Sequence, residues 1–199
     1  MAATTSSSAA PTAISAGLTL LNQPASTGDP PETCVTARTS QTMDLCDLIS
    51  PDAVIANLKV ANKKQALQEL ANKAARITTM NERVIFETLM ERERLGTTGV
   101  GQGIAIPHGK LTGLNRLYGV FARLEEPVPF DSIDEQPVDL IFLLLAPEGA
   151  GADHLKALAR VSRLMRNAGM VEKLRGCADR EALYALLTEP TASTPSHAA

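Results

Sequence analysis

The sequence predicts one α/β sandwich domain, on three observations. Apolar spacing switches repeatedly between a helical and a strand period from Met43 to Glu189. The stretch Val138 to Leu145 is apolar except at Asp139, as expected of a central strand covered on both faces. The chain has 199 residues, 44% of them hydrophobic, enough for one core of ordinary size. Aromatic residues are scarce and Trp is absent, so that core is built from Leu, Ile, Val and Ala. No internal repeat is visible.

Taken in order, Asp44 to Ile49 reads as a short helical turn ended by Ser50-Pro51, and Val54 to Leu58 as a short strand. Asn62 is suited to cap a helix, with Gln65 at the capping-box position and Leu67, Leu70, Ala71 and Ala74 on one face. Asn81 caps the next helix, with Ile85, Phe86, Leu89 and Met90 inward and Gly96 placed to end it. A glycine-rich loop and a short strand, Ile104 to Ile106, follow. Leu117 to Leu124 alternates as a strand does. After Val138 to Leu145, Asp153 is expected to cap a helix with Leu155, Leu158, Val161, Leu164 and Met165 inward. Two short helices close the domain near Leu187.

The flanks differ from this domain. Residues 1–42 are rich in Ala, Ser, Thr and Pro with almost no charge, which reads as disorder. No basic residue precedes the weak apolar stretch Ile14 to Leu21, which argues against a secretory signal. Met43 opens the first amphipathic stretch and is an alternative start. Residues 190–199 read as a second unstructured tail.

Composition excludes several functions. A net charge of -3 gives no electrostatic footprint for nucleic acid. Cys34, Cys46 and Cys177 form no CxxC pair, neither a disulfide framework nor a zinc pattern, and suit free thiols in a reducing cytoplasm. The longest unbroken apolar run, Leu140 to Ala146, falls far short of the roughly 20 residues that span a bilayer. No metal or cofactor is expected.

The most informative segment is Arg92-Glu-Arg-Leu-Gly-Thr-Thr-Gly-Val-Gly-Gln-Gly-Ile-Ala-Ile-Pro-His-Gly-Lys110. Glycines at this density let backbone approach a ligand and turn N–H groups toward an anion. A P-loop fails: Gly103 to Gly109 is one residue too long and Leu111 follows Lys110. A dinucleotide fingerprint fails on spacing and on following a helix. What remains is His108 at the end of a short strand, between Pro107 and Gly109. Neutral imidazole is a nitrogen nucleophile at neutral pH. One ring nitrogen would attack while the other donates to a fixed acceptor. Pro107 stiffens the approach, and Gly109 leaves room for a partner to press close. On the residues alone a structural or surface histidine stands beside this reading. Thr98 is a candidate hydroxyl for the phosphate, or simply a loop residue.

With the motif Gly-Thr-Thr-Gly-Val-Gly-Gln-Gly-Ile-Ala-Ile-Pro-His-Gly in hand, the chain resembles the enzyme IIA family of the bacterial phosphotransferase system, fructose–mannitol type, nitrogen-regulatory branch, over nearly all of 43–189. The resemblance implies a mixed sheet with helices on both faces. It implies that His108 is phosphorylated, that Arg92 binds the phosphate (Arg94 competing, on another face) and that His154, opening the helix after the long strand, supports it. His197 lies in the tail and is not expected to take part. Leu95, Val100 and Leu111 are candidates for an apolar docking patch.

The implied mechanism is in-line transfer from a phosphohistidine carrier, HPr or its nitrogen-branch relative, without metal, and without ATP as direct donor. Three functions stay open. The first is regulation of partners (sensor kinases, potassium transport proteins, stringent-response enzymes) by phosphorylation state. The second is a sugar-transport role, passing the group to the cysteine of a separate enzyme IIB. The third is a binding module without phosphate turnover.

Overall fold

The computed structural model describes residues 45–189. Residues 1–44 and 190–199, with Cys34, His197 and both expected tails, lie outside the described residues.

Leu45–Leu48 (α1) and a 3-10 turn at Pro51–Ala53 lead into Val54–Leu58 (β1). Lys63–Thr78 (α2) is capped by Asn62, whose side chain accepts from Gln65 N–H at 2.9 Å. The reciprocal bond runs one residue further back than expected, since Gln65 Oε1 accepts from Ala61 N–H. Ala66, Leu67, Leu70, Ala71 and Ala74 are buried, as their spacing predicts. Glu82–Arg94 (α3) is capped by Asn81 and buries Ile85 and Leu89, while Phe86 and Met90 pack half-buried against the core.

The glycine-rich segment is a hairpin rather than a loop. Gly99–Gly101 (β2) pairs antiparallel with Ile104–Ala105 (β3). Gln102 and Gly103, both at positive φ, make the two-residue turn that such a hairpin favours. The turn is held from outside: Asp134 Oδ2 accepts from Gln102 N–H at 2.7 Å, and Arg175 donates to Gln102 C=O at 2.6 Å. Arg175 also grips Asp139 with both arms of its fork, which explains a carboxylate beside the apolar strand core.

His108–Leu111 (β4), Tyr118–Val128 (β5) and Val138–Pro147 (β6) complete the sheet. Its order is β1-β5-β6-β3-β2, with β4 also on β6. β5–β6 and β2–β3 are antiparallel and the other pairings parallel, so the sheet is mixed. β3 and β4 continue one line along β6 in constant register, Ile104 opposite Leu140 and His108 opposite Leu144. Ile106-Pro107 separates them, where proline has no N–H to give.

Helices cover both faces, which leaves β6 buried along nearly its whole length. Gly151–Met165 (α4) packs on β6, and Ala168–Gly176 (α5) and Arg180–Thr188 (α6) close the domain. The expected start of α4 is corrected. Ala150 holds the cap position without a side-chain bond, and Asp153 is the third helical residue. The inward face shifts accordingly: His154, Ala157, Val161, Leu164 and Met165 are buried, whereas Leu155 is 65% exposed. Leu111, expected on a docking patch, is core. No described helix is long and apolar enough to cross a membrane.

Gly109 has a packing role in place of the clearance expected of it. A Cβ there would lie 2.9 Å from Thr88 Cγ2, so α3 sits on β4 only because the side chain is missing. Gly109→Ala should therefore lower stability by about 1–3 kcal/mol in urea denaturation. Adding Thr88→Ala should recover most of the loss; no recovery would place the strain elsewhere.

Candidate functional site

The last turn of α3, the Ile106-Pro107 break, the first residue of β4 and the first turn of α4 meet in one place. They bring Arg92, Ile106 C=O, His108 and His154 together around a shallow depression of about 370 Å³. Gly109, Lys110, Thr88, Glu91 and Leu95 complete its lining.

Each nitrogen of the His108 ring has one partner. Nδ1 lies 2.9 Å from Ile106 C=O, and Arg92 Nε donates to Nε2 at 3.0 Å. A carbonyl only accepts and a guanidinium only donates. The proton must therefore sit on Nδ1, and Nε2 must carry the lone pair. Arg92 is steadied by a bond from its Nη1 to Gly96 C=O at 3.0 Å. Burial moves the His108 pKa below the ordinary histidine value, and nearby Arg92 pushes the same way. Ile106 C=O and Glu93 oppose this, but the net shift is downward. The ring is thus held neutral, with the electron pair of Nε2 facing Arg92.

His154 lies beside it, with ring centroids 5.7 Å apart and planes inclined at 48°. It is 5% exposed, and its Nδ1 is buried without a hydrogen-bond partner. Burial, then the neighbouring His108 and Lys110, lower its pKa as well. An arginine fork, two neutral imidazoles and Lys110 make a site suited to a small, doubly charged anion. No group of three or more metal-ligating side chains occurs among the described residues.

Of the residues singled out by sequence, His108, Arg92, His154 and Gly109 are brought together. Thr98 is not. It is buried, and its hydroxyl donates to Glu93 Oε2 at 2.6 Å. The competitor Arg94 is exposed and does not line the depression. Leu95 stands at the rim, 86% exposed, whereas Val100 lies on the β2–β3 hairpin. The orienting acceptor, Ile106 C=O, was not named from sequence. A carbonyl just before a proline that breaks a strand is the signal that could have found it. Lys110 carries no such signal, since a lysine on a strand is ordinarily solvated.

Comparison with known proteins places these residues in context. The profile of the family described as "Phosphoenolpyruvate-dependent sugar phosphotransferase system, EIIA 2" matches residues 47–189. A nitrogen regulatory protein of Bradyrhizobium diazoefficiens is 59% identical over 151 residues, covering 76% of this chain and 99% of that protein. The fructose-specific EIIA component of Haloferax volcanii is 34% identical, covering 74% of this chain and 98% of that one. The crystal structure of nitrogen regulatory protein IIA-Ntr from Neisseria meningitidis superposes with a TM-score of 0.69 at 35% identity, covering 72% of this chain and 99% of that one.

Two imidazoles held below their ordinary pKa carry a consequence for stability. The unfolded chain takes up protons near pH 6.5, and the folded site resists to lower pH. Their contribution is complete above about pH 6.5 and is lost as pH falls through the folded values. Urea denaturation at about pH 7.5 and pH 5 should show His154→Gln losing less stability across that interval than the unsubstituted protein. An equal loss in both would mean that His154 is not held neutral.

Proposed function

The chain belongs to the EIIA 2 family of the phosphoenolpyruvate-dependent sugar phosphotransferase system, and on that premise we propose that it is a regulatory phosphocarrier whose His108 Nε2 accepts a phosphoryl group from a small HPr-like protein. The observation that carries this reading is the enforced tautomer: Nδ1–H on Ile106 C=O leaves Nε2 as the nucleophile.

In the step itself, the N–P bond of the donor phosphohistidine breaks as the Nε2–P bond forms. The donor imidazole regains its electron pair and no proton changes hands. Arg92 must leave Nε2 for the transfer, and its fork then serves the phosphoryl oxygens from the same helix end. His154 lies close enough to support the added charge. Ile106 C=O keeps its bond to Nδ1–H throughout, and that bond strengthens once the ring carries positive charge. A single arginine, without an arginine cluster, suits a group that must leave again.

The regulatory reading rests on likeness to nitrogen regulatory proteins over the whole domain. Phosphorylation puts a dianionic phosphoryl group on a ring that turns positive, a net change of about one negative charge at the depression, enough to change which partners dock against Leu95 and the surrounding rim. On this reading the protein works in the cytoplasm, beside the carrier that charges it. Likeness to a fructose-specific EIIA favours a second reading, transfer onward to the cysteine of an enzyme IIB. Adding purified IIB from the same genome separates the two: loss of phosphate to IIB supports transport, and retention supports regulation.

Incubation with a phosphoenolpyruvate-charged carrier, followed by mass spectrometry, should find an acid-labile phosphate on His108 that is missing in His108→Ala. An unmodified domain would point instead to a pure binding module. Arg92→Lys keeps the charge but loses the fork, and should slow transfer about 10- to 100-fold in rapid-quench kinetics. An unchanged rate would remove Arg92 from the mechanism.

A further inference from the structure

Sheet geometry leaves one question about the His108 ring unanswered: why Ile106 C=O is available to it. Thr98 and Ile106 extend the β2–β3 pairing by one residue beyond Gly99 and Ala105. Ile106 N–H donates to Thr98 C=O at 2.9 Å, as in a hydrogen-bonded antiparallel pair. In such a pair the same two residues exchange both bonds, so Thr98 N–H should return to Ile106 C=O. Here it does not. It points to the carboxylate of Glu93, 3.1 Å from Oε1 and 3.2 Å from Oε2.

Glu93 is held for this task. It is 8% exposed, on the last turn of α3 beside Arg92. Lys63 Nζ at the start of α2 lies 2.6 Å from its Oε1, and the Thr98 hydroxyl donates to Oε2. The Glu93 backbone carbonyl accepts from Gly96 N–H, and Gly96 C=O in turn holds Arg92 Nη1. One residue thus stands behind both groups that orient the ring: Ile106 C=O through Thr98, and Arg92 through Gly96.

We propose that Glu93 is a positioning residue for His108: by capturing Thr98 N–H it frees Ile106 C=O for Nδ1–H, and so sets which ring nitrogen is the nucleophile. With the carboxylate gone, Thr98 N–H would close the β pairing onto Ile106 C=O and compete with the ring for it. The Nδ1–H tautomer would lose its exclusive hold, and Nε2 would be nucleophilic only part of the time. This inference rests on His108 as the phosphoryl acceptor for its kinetic consequence, but its structural claim stands on the hydrogen bonds alone.

The test therefore has a readout that needs no phosphate. In the unsubstituted protein, couplings across hydrogen bonds in NMR should link Thr98 N to the Glu93 side-chain carboxylate and His108 Nδ1 to the Ile106 carbonyl. A coupling from Thr98 N to the Ile106 carbonyl overturns the proposal. Because removing Glu93 alone takes from the half-buried Lys63 its shortest ion pair and leaves it only Asp131 and Phe130, the substituted protein is Lys63→Met/Glu93→Leu, with Lys63→Met as reference. Both should be less stable. Only the double variant should show ring nitrogen shifts of mixed tautomers, with transfer slowed about tenfold or more at unchanged half-saturation for the donor. A folded double variant with the ring shifts and transfer rate of Lys63→Met contradicts the proposal. If the unsubstituted protein accepts no phosphate at all, the reading of His108 fails, while the tautomer result still decides the role of Glu93.

Discussion

The site depends on one hydrogen bond, from Nδ1–H of His108 to the carbonyl of Ile106. A neutral imidazole has two nitrogens, and only the one without a proton can attack phosphorus. The carbonyl acceptor decides which that is, and Arg92 on the opposite nitrogen agrees with the decision. Nothing else in the depression specifies a nucleophile. His154, Lys110 and the rim can favour an anion, yet without a fixed tautomer they would surround an undecided ring.

The fold supplies that bond by interrupting a strand. β3 and β4 run along β6 in one register, so the positions of Ile106 and His108 are set by the most buried strand in the sheet. Pro107 falls in the gap, where it has no N–H to donate to the ladder, and its carbonyl still accepts from Leu144 N–H at 2.9 Å. The free edge beyond the gap is where the hairpin pairing ends and the Glu93–Lys63 pair begins. The arrangement is rigid on the sheet side and adjustable on the helix side, since Arg92 is a long side chain at a helix end. The relay proposed above would use that asymmetry: the ring stays in place while the cation exchanges a ring nitrogen for phosphoryl oxygens.

Much of this was legible in the sequence, and the parts that were not share a cause. The caps at Asn62 and Asn81 and the buried faces of α2 and of β6 follow from spacing alone, because each concerns contacts within one element or with a generic core. Family resemblance pointed to His108, Arg92 and His154, which the fold brings together. Gly109 was read as clearance for a partner, whereas its missing Cβ faces Thr88 on α3. Thr98 was read as a possible phosphate ligand, but its hydroxyl and N–H both go to a glutamate five residues earlier. α4 was phased on Leu155 because leucine outranks histidine in apolar pattern; His154 takes the inward position instead. In all three cases the deciding partner sits on another element or depends on the exact start of a helix, which local periodicity does not encode. The Ile106 carbonyl escaped for a related reason: its place before Pro107 marks it in the sequence, but the ring it meets is set by the fold.

The central claim is therefore about regiochemistry. After charging the 15N-histidine-labelled domain with a phosphohistidine donor, phosphorus–nitrogen correlation NMR distinguishes the two isomers of phosphohistidine directly. The account predicts phosphorus on Nε2 of His108 alone, with the proton retained on Nδ1. Phosphorus on Nδ1 would mean that the Ile106 bond is broken before transfer, and would contradict the account at its base.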